Sequence, residues 1–392
     1  MAIKKEIFLK HLLFILFIAS LFACKQKENS KSSDKAVGNI SYRNLSPTEK
    51  ESYKAAVAHI YDSILGKRGF NGSILVAKNG EVLLEDYHGY SNPVARDTIT
   101  PSTTFHLASV SKTFTGMAIL KLWEENKLNI DDSLQVFFPE FPYTGITVRM
   151  LLSHRSGLPN YVYFMSEDSA WKRRIATNND MLQFMIEKKP ALYGYPNRGF
   201  HYCNTNFALL ALIVEKVSGQ PFPEYMKNTI FTPLGMNNTF VFSKVDSADY
   251  QPSYQPNNLP FQLESMDCVY GDKNVYSTVR DLYLWDQALY NHRVVSQPTF
   301  EEATKPYSLE RPSVHNYGLG WRLMMLPNAK IIYHNGWWHG NNTVFTRLVN
   351  DTATIIILSN KFNKGIYSGM KIGTVFANSK KPEVSKGEIV KN

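Results

Sequence analysis

The two ends of the folded body carry strand patterns, whereas its long middle carries helical ones. Near the start, two apolar runs at 73–78 and 81–85 flank Asn79-Gly80, a dipeptide that favours a two-residue hairpin turn. Strand-like runs return late in the chain, at 317–325, 331–334, 343–349 and 352–358, with a loop expected at 335–342. Both ends can bury their apolar faces only if they join one antiparallel sheet.

Helical periodicity dominates the segment between them. Ser46-Pro47-Thr48-Glu49 is a capping box that opens an earlier helix, and 366–377 predicts a helix that closes the body. The sequence therefore predicts an α/β fold of the α+β type, an antiparallel sheet flanked by N- and C-terminal helices with an inserted, mostly helical lobe. The expected bounds are a sheet lobe at about 46–105 and 310–378, a helical lobe at about 106–309, and one domain over 46–378.

The first residues are typical of an export signal. Lysines precede an apolar run at 12–23, which is too short for the roughly 20 residues that span a bilayer. The run ends in Leu21-Phe22-Ala23-Cys24, which resembles a bacterial lipobox, so 1–23 is predicted to be a lipoprotein signal peptide and Cys24 the lipidated residue. The alternative is an ordinary secretory signal with an incidental cysteine. We expect a membrane-anchored lipoprotein of the cell envelope, facing the periplasm or the exterior.

Polar, lysine-rich segments follow the signal and end the chain. Residues 24–45 predict a flexible tether and 379–392 a disordered tail, because neither contains enough apolar surface to offset the entropy of ordering. Most of the net charge of +9 lies in these ends, so it indicates no nucleic-acid partner and suits an anionic membrane surface. Cys203 and Cys268 are expected to be free thiols, although export permits a disulfide.

Several kinds of active site are excluded by the motifs that are missing. The chain has no His-Glu-x-x-His, no Cys-x-x-Cys, no Gly-x-Ser-x-Gly and no phosphate-binding glycine loop, so we expect neither a metal nor a cofactor. Ser109-Val110-Ser111-Lys112 instead begins a helical pattern. Three residues make nearly one helical turn, so the two polar heads can meet, and a desolvated neutral lysine can take the proton of a serine hydroxyl.

That motif is not specific by itself. Ser-x-x-Lys also occurs at Ser32, Ser169 and Ser368, and Tyr-x-Asn occurs at Tyr42, Tyr90, Tyr195, Tyr202 and Tyr333. Only Ser109 opens a long apolar helix, and only Tyr202-Cys203-Asn204 directly precedes another one. Ser109 as a helix cap, Lys112 as a solvated lysine and Asn204 as a cap for its own helix are the structural alternatives.

The motifs become specific as an ordered set. From about residue 70 to 360 the chain resembles the serine β-lactamase-like, or penicillin-binding-protein, family, which includes class C β-lactamases, DD-peptidases, D-aminopeptidases and esterases. The matching stretches are 105–114, 151–159, Tyr202 to Asn204 with the helix after it, 276–286, 317–321 and His334-Asn335-Gly336. The resemblance implies a β-lactamase/transpeptidase-like fold and a serine hydrolase.

The same resemblance assigns roles to residues of this chain. It implies an acyl-enzyme on Ser109, with Lys112 or Tyr202 as base and Tyr202 passing a proton to the leaving group. Asn204 would hold the head of Lys112, and His334 and Gly336 would orient the network or the substrate. The backbone N–H groups of Ser109 and Trp337 would form the oxyanion hole.

Two positions depart from the family pattern. His334 replaces the lysine of class C β-lactamases, and an ordinary histidine is mostly neutral at pH 7, so we expect p-nitrophenyl esters or D-amino-acid amides to be cleaved faster than the β-lactam nitrocefin. The second departure is Gly271-Asp272-Lys273-Asn274, which stands where members of the family often have a glycine pair. Ester, D-peptide and β-lactam substrates all remain open, as does the oligomeric state. The rival functions are a slowly acylating penicillin-binding sensor and a non-catalytic peptidoglycan-binding lipoprotein.

Overall fold

A computed structural model describes residues 42–171 and 174–377. The predicted signal peptide, Cys24, the tether up to residue 41 and the C-terminal tail lie outside the described residues. The last residues of the predicted tether do not behave as a tether. Leu45 is buried, and the ring of Tyr42 packs edge-on against Tyr290 at 6.1 Å between centroids. These apolar groups tie the chain to the folded body from Tyr42 onward.

The first and last strands of the described chain form one sheet. The strands are β1 (Gly72–Lys78), β2 (Glu81–His88), β3 (Tyr90–Asn92), β4 (Asp97–Thr98), β5 (Phe105–His106), β6 (Phe240–Val241), β7 (Val275–Ser277), β8 (His315–Tyr317), β9 (Arg322–Leu326), β10 (Ala329–Trp338), β11 (Asn341–Leu348) and β12 (Ala353–Ser359). Within the described residues the main sheet has the order β2-β1-β12-β11-β10-β9-β8, with every neighbouring pair antiparallel. The predicted hairpin at Asn79-Gly80 and the sheet built from both ends are confirmed.

Helices flank this sheet and fill the middle of the chain. The α-helices are α1 (Pro47–Ile64), α2 (Ser111–Glu124), α3 (Leu134–Phe137), α4 (Val148–Leu152), α5 (Tyr161–Glu167), α6 (Asn178–Lys188), α7 (Asn204–Ser218), α8 (Phe222–Met226), α9 (Thr232–Leu234), α10 (Val279–Tyr290), α11 (Gln297–Ala303) and α12 (Thr374–Ala377). The capping box at Ser46 forms as predicted. The expected C-terminal helix is mostly a 3-10 helix, Lys364–Gly373, before α12. No described helix combines the length and apolar character that a membrane span needs.

Two apolar cores lie on opposite faces of the sheet. The smaller one packs α1 and the C-terminal helical segment against alternate residues of β1 and β12, including Ile74, Val76 and Ile355. The larger one packs the helical lobe, with α2 and α7 at its centre, against the other face. Ser109, just before α2, and Asn204, the first residue of α7, line one cavity together with Arg322 of β9 and Asn335 of β10. The starts of the two helices therefore lie where the helical lobe meets the sheet.

Two strand predictions differ from the structure. The run predicted at 317–325 is broken between β8 and β9, where Gly320 adopts φ of +88° and the backbone passes close to Gly116 of α2. The predicted loop at 335–342 is largely strand, because β10 continues to Trp338 and pairs with β11 up to Asn341. In both cases the strand ends are set by contacts with distant parts of the chain, α2 for Gly320 and β11 for β10, which the local sequence pattern does not reveal.

Candidate active site

The segment before Ser109 is held in a strained conformation by its neighbours. Ala108 has φ of +49°, a left-handed value that costs a non-glycine residue about 1–3 kcal/mol. The backbone on either side is fixed, since Leu107 N–H donates to Val275 O at 2.8 Å and Thr343 Oγ1 donates to Leu107 O at 2.8 Å. A 3-10 turn, Ala108–Val110, then leads into α2 and places Ser109 on the wall of a cavity.

Lys112 meets Ser109 as the spacing predicts. Its side chain is fully buried, and Nζ lies 3.1 Å from Ser109 Oγ. The same nitrogen donates to the backbone carbonyl of Asp272 at 2.7 Å and lies 5.0 Å from the centre of the Tyr202 ring. The lysine head is therefore withdrawn from solvent and directed at the serine hydroxyl, as a general base for that hydroxyl requires.

Tyr202 lies between the side-chain nitrogens of a lysine and an arginine. Besides Lys112, the guanidinium carbon of Arg322 lies 4.9 Å from the ring centre, and the imidazole of His154 packs at 4.3 Å between centroids. The residue is partly exposed and lines the cavity beside Ser109. The chain turns into α7 directly after it, so the start of that helix fixes the position of the ring.

Asn204 lines the cavity but does not hold Lys112 as expected. Its Oδ1 is buried without a hydrogen-bond partner, and the two hydrogen bonds of the Lys112 head go to the Asp272 carbonyl and Ser109 Oγ. An unpartnered buried acceptor costs about 1–3 kcal/mol. In the described structure Asn204 thus offers an acceptor at the cavity wall.

His334 is buried behind the cavity wall and neutral. Tyr317 Oη lies 3.1 Å from its Nε2, and its Nδ1 lies 2.8 Å from the carbonyl of Asn335. A carbonyl only accepts, so Nδ1 carries the proton and Nε2 accepts from the tyrosine. Burial first, then the charges of Arg322 and Lys112, hold the pKa of His334 well below its usual range. The histidine therefore supplies no positive charge.

Arg322 is the fixed cation of the cavity, and the sequence analysis did not identify it. It lies on β9 opposite Tyr333 of β10 and lines the cavity. Its guanidinium stacks over Tyr202 and makes no ion pair or hydrogen bond with the described residues. Only the pairing of β9 with β10 brings it beside the third motif, and the sequence around residue 322 contains no signal of that pairing.

Gly336 allows β10 to lie against the nucleophile segment. A Cβ at this position would be 2.2 Å from Thr343 Oγ1 and 2.4 Å from the carbonyl of Leu107. No other residue fits without moving the strand away from Ala108. The glycine of the predicted third motif is therefore required by the structure.

The cavity has a volume of about 1440 Å³ and is rich in aromatic side chains. Trp337 is 60% exposed and Tyr163 is 65% exposed at its rim. Ser109 lines it, whereas Ser169 and Ser368, the other described Ser-x-x-Lys serines, do not.

Across 42–171 and 174–377, no group of three or more His, Cys, Asp or Glu side chains is arranged to hold a metal ion. Cys203 and Cys268 are both buried free thiols, as predicted.

Comparisons with known proteins identify the family of the chain. The Beta-lactamase family profile matches residues 57–369. Penicillin-binding protein 4* of Bacillus subtilis is 34% identical over 331 residues, which cover 80% of this chain and 73% of that protein.

Solved structures share the fold. A penicillin-binding protein from Bacillus halodurans is 25% identical with a TM-score of 0.69, covering 80% of this chain and 97% of that one. A D-amino acid amidase from Ochrobactrum anthropi has a TM-score of 0.70 at 22% identity, covering 83% and 99%, and shows the fold alone. The family profile and the 34% identical relative show that the chain belongs to the serine β-lactamase and penicillin-binding-protein family, and it is a serine hydrolase.

Proposed function

We propose that the protein cleaves amides or esters that carry a carboxylate near the scissile bond, by forming an acyl-enzyme on Ser109. The observation that carries the chemistry is the 3.1 Å contact between Lys112 Nζ and Ser109 Oγ inside a cavity large enough for a peptide. The observation that carries the substrate class is Arg322, whose unpaired guanidinium faces the same cavity. A guanidinium binds a carboxylate through charge-assisted hydrogen bonds.

The reaction proceeds in two acyl transfers. Ser109 Oγ attacks the carbonyl carbon while its proton passes to the deprotonated base, either the neutral amine of Lys112 or the phenolate of Tyr202. The backbone N–H groups of Ser109 and Trp337 stabilise the oxyanion. The bond to the leaving amine or alcohol then breaks as Tyr202 returns the proton. Water finally hydrolyses the ester on Ser109 by the same path in reverse, so the sequence of steps requires no metal or cofactor.

A D-amino-acid peptide with a free C-terminal carboxylate is the preferred substrate in this proposal. The relative from Bacillus subtilis is named for binding penicillin, a cyclic amide that also carries a carboxylate. The aromatic rim favours a second candidate class, esters of apolar acids, because burying one ring contributes about 2 kcal/mol.

The nucleophile is tested with a fluorophosphonate and intact-mass analysis. We expect one adduct, mapped to Ser109, in the wild type and in a matched Ser368→Ala variant, and none in Ser109→Ala. Lys112→Met should slow labelling by about 10²–10⁴-fold, the usual contribution of a general base. A label on Ser368, or one that persists in Ser109→Ala, would show that the wrong Ser-x-x-Lys was chosen.

Turnover distinguishes the hydrolase from a slowly acylating sensor. We expect steady release of product from a D-peptide or ester after the first equivalent. A burst of one equivalent followed by no further product would favour the sensor instead.

A further inference from the structure

A buried charged pair lies directly behind the proposed base. Asp272 and Lys273 are 1% and 2% exposed, respectively. Taking two charges out of water costs several kcal/mol per ion, and apolar residues of similar size often replace such pairs without loss of stability. A pair that persists beside a reactive group therefore points to a role in the chemistry of that group.

A tyrosine joins the two charges. Lys273 Nζ donates to Tyr161 Oη at 2.5 Å and to the Val269 carbonyl at 2.7 Å, and it lies 3.8 Å from Asp272 Oδ1. Tyr161 Oη in turn lies 3.1 Å from Asp272 Oδ1. Burial, and then the charge of Asp272, hold the pKa of the Tyr161 phenol well above its usual range, so it keeps its proton and donates to the carboxylate.

The network contacts both sides of the active site. The backbone carbonyl of Asp272 accepts the 2.7 Å bond from Lys112 Nζ. The backbone N–H of Tyr161 donates to Thr205 Oγ1 at 2.8 Å, on the first turn of α7 just after Tyr202. One cluster thus fixes the carbonyl that holds Lys112 and the helix start that places Tyr202.

We propose that Asp272, Lys273 and Tyr161 are positioning residues for acylation of Ser109. They hold the Lys112 amine against the nucleophile, and their opposite charges set how readily the base takes up a proton. The inference rests on the proposed function of Ser109. It also gives a role to Asp272 and Lys273, which lie in the stretch 271–274 that departs from the family pattern.

The charges work in opposite directions. The ammonium of Lys273 opposes uptake of a proton by the nearby base. This holds if the base is Lys112, which becomes positive, and also if it is an ionised Tyr202, which loses its negative charge. The carboxylate of Asp272 favours that uptake. The sign of each effect is consequently the same for either candidate base.

Other groups near Lys112 leave a usable pH window. Burial holds the pKa of His154 and His334 well below 6.5 and raises the pKa of Cys203 to about 11. Besides one another, Lys112, Lys273 and the Tyr202 ring face Asp267, Asp272, Arg322, Tyr161, Cys268 and Tyr317. Burial lowers the pKa of Lys273 itself from its usual value. The readout is the rate of Ser109 acylation between about pH 7 and 10, and its acid limb is the fall in that rate on the low-pH side, where a general base is lost to protonation.

The test is the second-order rate of fluorophosphonate labelling of Ser109, measured across that window. We expect Lys273→Met to move the acid limb about one pH unit higher and Asp272→Asn to move it about one unit lower, the usual effect of one nearby charge. One unit below the wild-type midpoint, these shifts correspond to about ninefold slower and about fivefold faster labelling, respectively. The double variant should return the limb to near the wild-type position.

A buried lysine elsewhere provides the matched control. Lys78 is 7% exposed and donates to the carbonyl of Asp351 at 2.6 Å, beneath α1 and α12. Lys78→Met should leave the limb unmoved, and circular dichroism checks that every variant is folded. If one of the two single variants does not fold, the double variant is compared with the single variant that does fold. The acid limb of the double variant must then lie closer to the wild-type position.

Two results would overturn the inference. Folded variants with an unmoved limb, or with both limbs displaced in the same direction, would reduce the network to a purely structural role. Either result leaves Ser109 labelling of the wild type intact. No Ser109 labelling of the wild type at any pH would instead remove the proposed function, and the inference with it.

Discussion

Arg322 and His334 lie on adjacent strands, yet only the arginine faces the cavity. The histidine is fully buried, and its two nitrogens are occupied by Tyr317 and the Asn335 carbonyl. The expectation that the site lacks a cation, drawn from His334 alone, was incomplete because Arg322 supplies one. The preference for esters or D-amino-acid amides over nitrocefin stays a prediction, although the missing charge no longer supports it.

Arg322→Gln should separate substrates by their charge. We expect kcat/KM for a D-peptide with a free carboxylate to fall about 10–100-fold, since a hydrogen bond to a charged group contributes about 1.5–3 kcal/mol. The same peptide with its C-terminus amidated should lose less activity, because only the effect of the Arg322 charge on Tyr202 is then removed. The control is Arg280→Gln, which removes an exposed arginine paired with Glu85. Equal losses for the acid and the amide would contradict a carboxylate-binding role.

Site residues that belong to one local segment could be predicted, and those brought in by distant pairing could not. Ser109 and Lys112 are one helical turn apart, so their contact follows from spacing. Arg322 and the carbonyl of Asp272 reach the site through strand pairing and a buried loop. No motif around either residue indicates where its partners lie.

At the scale of elements, the contact between β10 and the nucleophile segment is set by Gly336. In Gly336→Ala the new Cβ would require Thr343 or the Leu107 carbonyl to move, because both would lie within 2.4 Å. We expect fluorophosphonate labelling of Ser109 to slow by more than about tenfold, since small misplacements of a reacting group are costly.

Gly199→Ala provides the comparison for Gly336→Ala. A Cβ at Gly199 would meet nothing within 4 Å, so this variant should label at the wild-type rate. A Gly336→Ala protein that labels as fast as Gly199→Ala would show that β10 does not position the nucleophile.

Helices and turns with local signals were predicted well, and strand ends were not. The capping box at Ser46 and the Asn79-Gly80 turn contain their own stop and start signals, and both elements formed as expected. The ends of β9 and β10 depend on partners far along the chain. Gly320 leaves the strand to pack against α2, whereas Trp337 and Trp338 remain in a strand because β11 pairs with them.

At the scale of the whole molecule, we propose that Cys24 anchors the protein to a membrane through lipid. The described body binds to the membrane only through that anchor in this proposal. Wild-type protein should therefore sediment with membranes and be released by detergent, and Cys24→Ala should be soluble or retain its signal segment. Wild-type protein found in the soluble fraction without detergent would refute the anchor.

The folded body should lose stability in mild acid because it buries neutral histidines. His106 is fully buried beside the nucleophile segment, and burial lowers its pKa to about 4. The unfolded chain, with an ordinary value near 6.5, binds more protons between pH 6.5 and 4, so the free energy of unfolding falls as the pH falls through that window. From pH 7 to pH 5, His106 alone should account for a loss of about 2 kcal/mol. Urea unfolding of wild type and His106→Gln at both pH values measures it. His106→Gln should lose less stability on acidification by about that amount, and equal losses in the two proteins would show that His106 takes up its proton in the folded state.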